Sequence, residues 1–173
     1  MAQLAVTALG ADRPGIIARV TGVLLEHGGN IEDSTMTILG GHFAILLLVQ
    51  ASTPPDELEA ALTRATTDLG LVVAVRPVGE GAASAPPTHL LSVYGADRPG
   101  IVHAVAEHLA ARQVNVTDLV TRVLEGAQPV YAMQLEVSLP TELTPGELVA
   151  LLRREPALAG VEVSIHALDT ATF

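Results

Sequence analysis

The chain has 173 residues, a formal net charge of −10 and no cysteine. That charge opposes direct nucleic-acid binding, which needs clustered Lys and Arg against phosphates. The missing thiols exclude disulfides, thiolate metal sites and a cysteine nucleophile. Nearly half of the residues are apolar, yet only Phe43, Tyr94, Tyr131 and Phe173 are aromatic, so the expected core is aliphatic.

Met1 to Thr7 has no basic region leading into a long apolar stretch, so no signal peptide is expected. Gln3 to Leu9 reads as a short buried strand. From Pro14 a helical period begins, with Ile16, Ile17, Val20, Val23 and Leu24 on one stripe, and Gly28-Gly29 ends it. Ile31 to Leu39 is rich in Thr and β-branched residues and predicts a strand. Gly40-Gly41 turns the chain, and Phe43 to Gln50 returns as the next strand. Its apolar run, Phe43 to Val49, is far shorter than the ~20 residues that cross a bilayer. A soluble, cytoplasmic protein with no membrane contact is expected.

Thr53, with Pro54 at the first helical position and Asp56 beyond it, predicts a capped second helix. Leu58, Leu62, Ala65 and Leu69 form its apolar face. Gly70 ends it, and Leu71 to Val75 closes a βαββαβ order. Residues 79–88 are small and proline-containing and read as a linker.

The order then repeats. His89 to Tyr94 reads as a strand, Pro99 to Arg112 as a helix, and Val116 to Leu124 with Val130 to Leu139 as a hairpin. The turn of this hairpin is about three residues longer than in the first copy. Thr144-Pro145-Gly146-Glu147 opens a helix with apolar Leu148, Leu151 and Leu152, and Val161 to His166 is the last strand. The heptapeptide Gly-Ala-Asp-Arg-Pro-Gly-Ile occurs at Gly10–Ile16 and again at Gly95–Ile101, and Asn30, Ile31 and Asp33 return as Asn115, Val116 and Asp118. Self-similarity at this scale means one folding unit written twice. The expected domains are residues 1–78 and 89–168, with a tail at 169–173.

Two interleaved right-handed βαβ crossovers predict an α+β fold: two ferredoxin-like βαββαβ domains, each a four-stranded antiparallel sheet with both helices on one face. In the second copy Tyr131, Met133, Leu135 and Val137 alternate with polar residues. In the first copy Leu46 and Leu48 take the positions that should be polar. A strand apolar on both sides needs cover on both, so the open face of the first sheet is expected to pack on the other repeat or on a second subunit.

The repeated turn sits where a strand gives way to a helix. Pro14 lacks an N–H that a helix start does not need, Gly15 lets another group approach the backbone, and the first-turn N–H groups suit a carboxylate. Asp12 either satisfies some of those donors or accepts from an ammonium group. Asn30 and Asp33 offer oxygens to an ammonium group, so the set matches a zwitterion. The same residues also serve as helix caps and turn formers, and that structural reading stays open. Gly22 becomes Glu107 and Gly28-Gly29 becomes Gln113-Val114, so the two sites are not equivalent.

D-R-P-G-I at the first strand–helix junction and N-[IV]-x-D opening the second strand, in two βαββαβ repeats, resemble the ACT domain family. Stand-alone tandem members of this size resemble the glycine cleavage system transcriptional repressor group. The resemblance implies a regulator that binds a small amino acid, glycine or serine being natural, between paired domains. It implies ligand contacts at Asp12, Arg13, Pro14, Gly15, Asn30, Ile31 and Asp33, and at Asp97, Arg98, Pro99, Gly100, Asn115, Val116 and Asp118. It further implies a homodimer and a protein partner such as a transcription factor, without direct nucleic-acid contact.

No cofactor or metal is expected: the six histidines show no i, i+4 pairing, and His103 and His108 are five apart. RNA-recognition plaits need aromatic stacking residues, for which only Tyr131 is a candidate. No nucleophile–base pair or P-loop is present, so the chain is not expected to be an enzyme. The competing reading is a ligand-free interaction module in which the duplicated turns are structural and the apolar sheet carries the function.

Overall fold

The computed structural model describes residues 1–79, 85–124 and 130–168. The centre of the linker, the turn of the second hairpin and the C-terminal tail lie outside the described residues. The chain divides into two compact units, Met1–Ala82 and Ala83–Phe173.

In the first unit, β1 (Ala2–Ala11), α1 (Ile16–Glu26), β2 (Asn30–Leu39), β3 (His42–Ala51), α2 (Pro55–Ala65) and β4 (Val72–Pro77) follow the βαββαβ order. The second unit repeats it with β5 (His89–Gly95), α3 (Ile101–Ala110), β6 (Asn115–Leu124), β7 (Val130–Ser138), α4 (Pro145–Leu152) and β8 (Glu162–Ala167). The sheets run β2-β3-β1-β4 and β6-β7-β5-β8, with every neighbouring pair antiparallel. The expected α+β plait is therefore present twice.

Each unit has its own aliphatic core. Leu4, Val6, Leu47 and Val49 of the central strands pack with Ile16, Val20 and Leu24 of α1 and Leu58 and Leu62 of α2. In the second unit Leu91, Val93, Met133 and Val137 pack with Ile101, Val105, Leu148 and Leu152. Ile17 leaves the predicted stripe and is 41% exposed, because it lies one position beyond the face that α1 buries. Leu151 is likewise only half-buried.

Helix starts differ between the copies. Thr144 accepts from the Glu147 N–H at 3.3 Å while the Glu147 carboxylate accepts from the Thr144 N–H at 2.9 Å, a complete capping box. Thr53 does not cap α2, contrary to expectation: its hydroxyl donates to the His27 carbonyl at 3.1 Å. The cause is Pro55, which disfavours helical ψ in the residue before it. Pro54 takes φ −57° and ψ 143°, and the helix starts one residue later. Gly70, at φ 64°, ends a separate 3-10 turn, Thr67–Leu69, rather than α2 itself.

The exit from the first helix shows what the Gly28 to Gln113 change costs. Gly28 has φ 66°, and Gln113 is held in the same left-handed region at φ 55°. A side chain there costs about 1 kcal/mol against glycine. Gln113→Gly should raise the stability of the chain by about 0.5–1 kcal/mol, less what the freer unfolded chain gives back. Urea unfolding with an unchanged m-value checks this.

Several carboxylates tie helices to neighbouring elements. Glu59 of α2 accepts from the Val75 N–H at 2.8 Å and from Arg76 at 2.9 Å, and Asp68 accepts from Arg19 of α1. Glu155 pairs with His108 of α3 at 2.9 Å. The Val75 amide holds the Glu59 carboxyl below its usual range, Arg19 does so for Asp68, and His108 for Glu155. A depressed folded pKa contributes stability that is present above the unfolded pKa and lost as pH falls through the folded one. Stability should therefore decline below about pH 4, and Asp68→Asn with Glu155→Gln should flatten that decline in acid-unfolding curves.

Candidate functional site

In both repeats the D-R-P-G turn leaves the helix N-terminus bare. Gly15 and Gly100 occupy the cap positions at φ 93° and 98°, a conformation that favours glycine, and neither α1 nor α3 receives a side-chain cap. No acidic residue lies in either first turn. Asp12 does not take the capping role; its backbone N–H donates to the Gly41 carbonyl at 2.9 Å. The first-turn donors and the positive end of each helix dipole thus face outward, an arrangement that favours an anion.

Part of the repeated motif is structural. Arg13 reaches the Asp68 carbonyl at 3.5 Å, and Arg98 donates to the Ala159 carbonyl. Each guanidinium is turned towards the connection that follows the second helix of its unit. A Cβ on Gly10 would meet Leu71 at 2.6 Å, and one on Gly95 would lie 3.1 Å from Val161. The first glycine of the motif therefore lets the end of the first strand approach the start of the fourth.

A depression of about 520 Å³ opens at the first turn, lined by Asp12–Ala18 with Met36 and Phe43. Its counterpart of about 510 Å³ is lined by Asp97–His103 with Tyr131. Pro14, Gly15, Pro99 and Gly100 belong to these walls. Motif reading missed Met36, Phe43, His103 and Tyr131. The strand alternation carried that information, because Phe43 and Tyr131 stand at matching places on the helix side of β3 and β7. The walls differ: Ala18 and Phe43 in one become His103 and Tyr131 in the other.

The second half of the predicted set lies elsewhere. Asn30 pairs with Gln50, which pairs with Gln3, at the start of β1. The D-R-P-G turn follows Ala11, which pairs with His42, which pairs with Leu39. Asn30 and the turn therefore stand at opposite ends of β2, about 30 Å apart at 3.3 Å per residue. Asn115 and the second turn are separated in the same way along β6. Ile31 and Val116 lie on the helix side, opposite Val49 and Val137. A bulge between Ile31 and Asp33 turns Asp33 to the helix-free face opposite Leu48, where one carboxylate oxygen accepts from the Ser34 N–H at 2.7 Å. Asp118, beside the equivalent bulge, stands opposite Glu136.

Both strands lie at sheet edges, and all ten residues of β2 and of β6 are exposed. Two such edges laid antiparallel would set the start of one strand beside the turn at the end of the other.

Two successive ferredoxin-like plaits, each with a bare helix start beside an exposed edge strand, define a tandem βαββαβ protein. The ACT domain family model matches residues 2–76 and 88–166, and the chain belongs to that family. It is 31% identical over 138 residues to the glycine cleavage system transcriptional repressor of Escherichia coli, covering 79% of this chain and 72% of that protein. A UPF0237 protein of Methanopyrus kandleri is 42% identical over 79 residues, 44% of this chain and 88% of its own length. The crystal structure of a protein from Galdieria sulphuraria superposes with a TM-score of 0.82 at 28% identity, covering 96% of this chain and 98% of that one. The chain is thus an ACT domain regulatory protein related to the glycine cleavage system repressor.

The arginine geometry gives a stability prediction. Arg98→Ala should cost about 0.5–1 kcal/mol, through loss of its bond to the Ala159 carbonyl. Thermal unfolding of the variant checks it.

Proposed function

We propose that this chain is an amino-acid-sensing regulator whose ligand sites are completed by antiparallel pairing of its exposed edge strands. The observation that carries the reading is the placement of the two motifs. Bare helix N-termini stand at one end of β2 and β6, and Asn30 and Asn115 stand at the other. Antiparallel pairing with the edge strand of a second copy brings each turn to the Asn of the opposing strand. The amino acid's carboxylate then meets the N–H groups that follow Gly15 or Gly100, and its ammonium group meets the Asn side-chain oxygen. Ile31 and Val116 would cover the aliphatic part of the ligand. Asp12 and Asp97, on the rim of each depression, are the acidic groups nearest the turn.

Ligand binding across the pair stabilises it, so the bound amino acid changes how firmly the copies associate. The net charge of −10 disfavours direct contact with DNA and supports an output through a protein partner. The related repressor's name puts glycine at the head of the ligands to test.

Isothermal titration against the twenty amino acids, at protein concentrations spanning the association equilibrium, tests the reading. One or two amino acids should bind, more tightly as the protein associates. Asn30→Ala with Asn115→Ala should weaken binding at least tenfold while leaving the fold intact by circular dichroism. Silence across the panel would overturn the sensor reading and leave a ligand-free interaction module.

A further inference from the structure

The helix-free face of the first sheet is apolar at its centre and open. Leu9, Leu46 and Val72 on it are 52%, 42% and 71% exposed, around a depression of about 430 Å³ floored by Thr7, Ala44 and Ala74. We propose that this face is a homodimer interface, in which the first sheet stacks on the same sheet of a second copy about a two-fold axis running along the strands.

The strand register supplies the argument. On this face Leu48 stands beside Ala5, Leu46 beside Thr7, and Ala44 beside Leu9. Each of these three central rows thus pairs a large residue with a smaller one. A two-fold axis parallel to the strands, midway between β1 and β3, lays β3 of one copy over β1 of the other. Each leucine then faces the smaller member of its row: Leu46 enters the depression over Thr7 of the second copy, and Leu9 sits over Ala44. Aligned sheets pack about 10 Å apart with knobs from one face filling gaps in the other, and the sheet twist sets the angle between them.

Charge agrees with a self-partner. The three central rows carry no charge on β1 or β3. The row that runs Asp33, Leu48, Ala5, Arg76 ends in opposite signs at its two edges. The same axis lays β2 over β4 and sets Asp33 against Arg76 of the second copy, twice. Arg76 Nη1 already donates to Glu59 at 2.9 Å and to the Val75 carbonyl at 2.7 Å, which leaves the Nη2 and Nε donors for Asp33. Four strands at about 4.8 Å spacing and eight residues of strand give a footprint of about 500 Å² per copy. The two faces together reach the roughly 1,000 Å² that a specific interface requires. The second unit shows the alternative at matching positions, where Gln134 and Glu136 replace Leu46 and Leu48.

The absence of native cysteine makes the test direct. In the stacked dimer the two Thr7 positions approach across the axis, so Thr7→Cys should join two chains through a short bismaleimide. In a dimer paired only through β2, the two Thr7 positions stay about 24 Å apart, beyond that reach. Sedimentation velocity should show association that Leu46→Lys weakens by roughly two orders of magnitude, since it buries an unpaired ammonium. Leu46 is exposed in the single chain, so the variant should keep the melting temperature of wild type diluted below its association range, and that is measured alongside. Efficient cross-linking of Thr7→Cys, lost on adding Leu46→Lys, supports the stacked dimer. A monomer at all concentrations, or a dimer that neither cross-links at Thr7→Cys nor responds to Leu46→Lys, overturns it. Amino-acid titration of folded Leu46→Lys keeps the two readings apart, because Leu46 is at the centre of the sheet, while the bare helix starts are on its helix side and Asn30 is at the end of the edge strand.

Discussion

The crossover from β1 through α1 to β2 fixes where everything else stands. It passes over β3, so β1 and β2, each antiparallel to β3, run parallel with one strand between them. The helix spends the length of the sheet returning to the bottom edge. A turn at the top of β1 and a motif at the base of β2 are therefore held a full strand apart, although only 14 residues separate Gly15 from Gly29. The same crossover leaves β2 at the edge with its outer side uncovered. A single unit can present half of a site at each end of that edge and cannot close the site alone. An edge strand of ten exposed residues is also a template for pairing, and natural sheets usually cover or blunt such edges.

The bare starts of α1 and α3 are not a general weakness of capping in this chain. The capping box at Thr144 shows that a complete cap is within its repertoire. The sequence has Asp available at position 12 and again at 97, and the fold directs neither to the helix donors. Gly15 and Gly100 instead take left-handed conformations that turn the chain into the helix without placing a side chain over its end. Backbone donors left unsatisfied at two equivalent sites are costly unless water or a ligand meets them. The arginine of the motif, by contrast, has a local partner and a structural task.

The fold was legible because apolar periodicity and glycine punctuation agree in both copies. Leu58 and Leu62, or Val20 and Leu24, mark their buried faces without ambiguity. Boundaries failed where neighbours intervene. Pro55 moved the start of α2 through its effect on Pro54, and Ile17 lay one position outside the stripe. The candidate site was legible in composition but not in geometry. Spacing along the chain does not reveal that β2 carries its motif away from the turn. Nor does it reveal the bulge that puts Asp33 on the helix-free face. Phe43 and Tyr131 went unread because an aromatic in a strand is read first as core. Their role in the walls depends on which end of the strand meets the turn.

Duplication followed by divergence gives the two sheets different surfaces. The second unit has Gln134 and Glu136 on its helix-free face, with the Gln134 amide 3.4 Å from the Tyr94 hydroxyl. The first has Leu46 and Leu48 at those places. Had both faces been apolar, each chain would have carried two sticky sheets, and stacking could continue from chain to chain without end. One apolar face per chain, self-complementary about a two-fold axis, closes after two copies. The polar face of the second unit limits assembly as much as the leucines of the first promote it. Edge pairing through β2 remains compatible with this stacking, because it uses the rim of the sheet rather than the centre of its face.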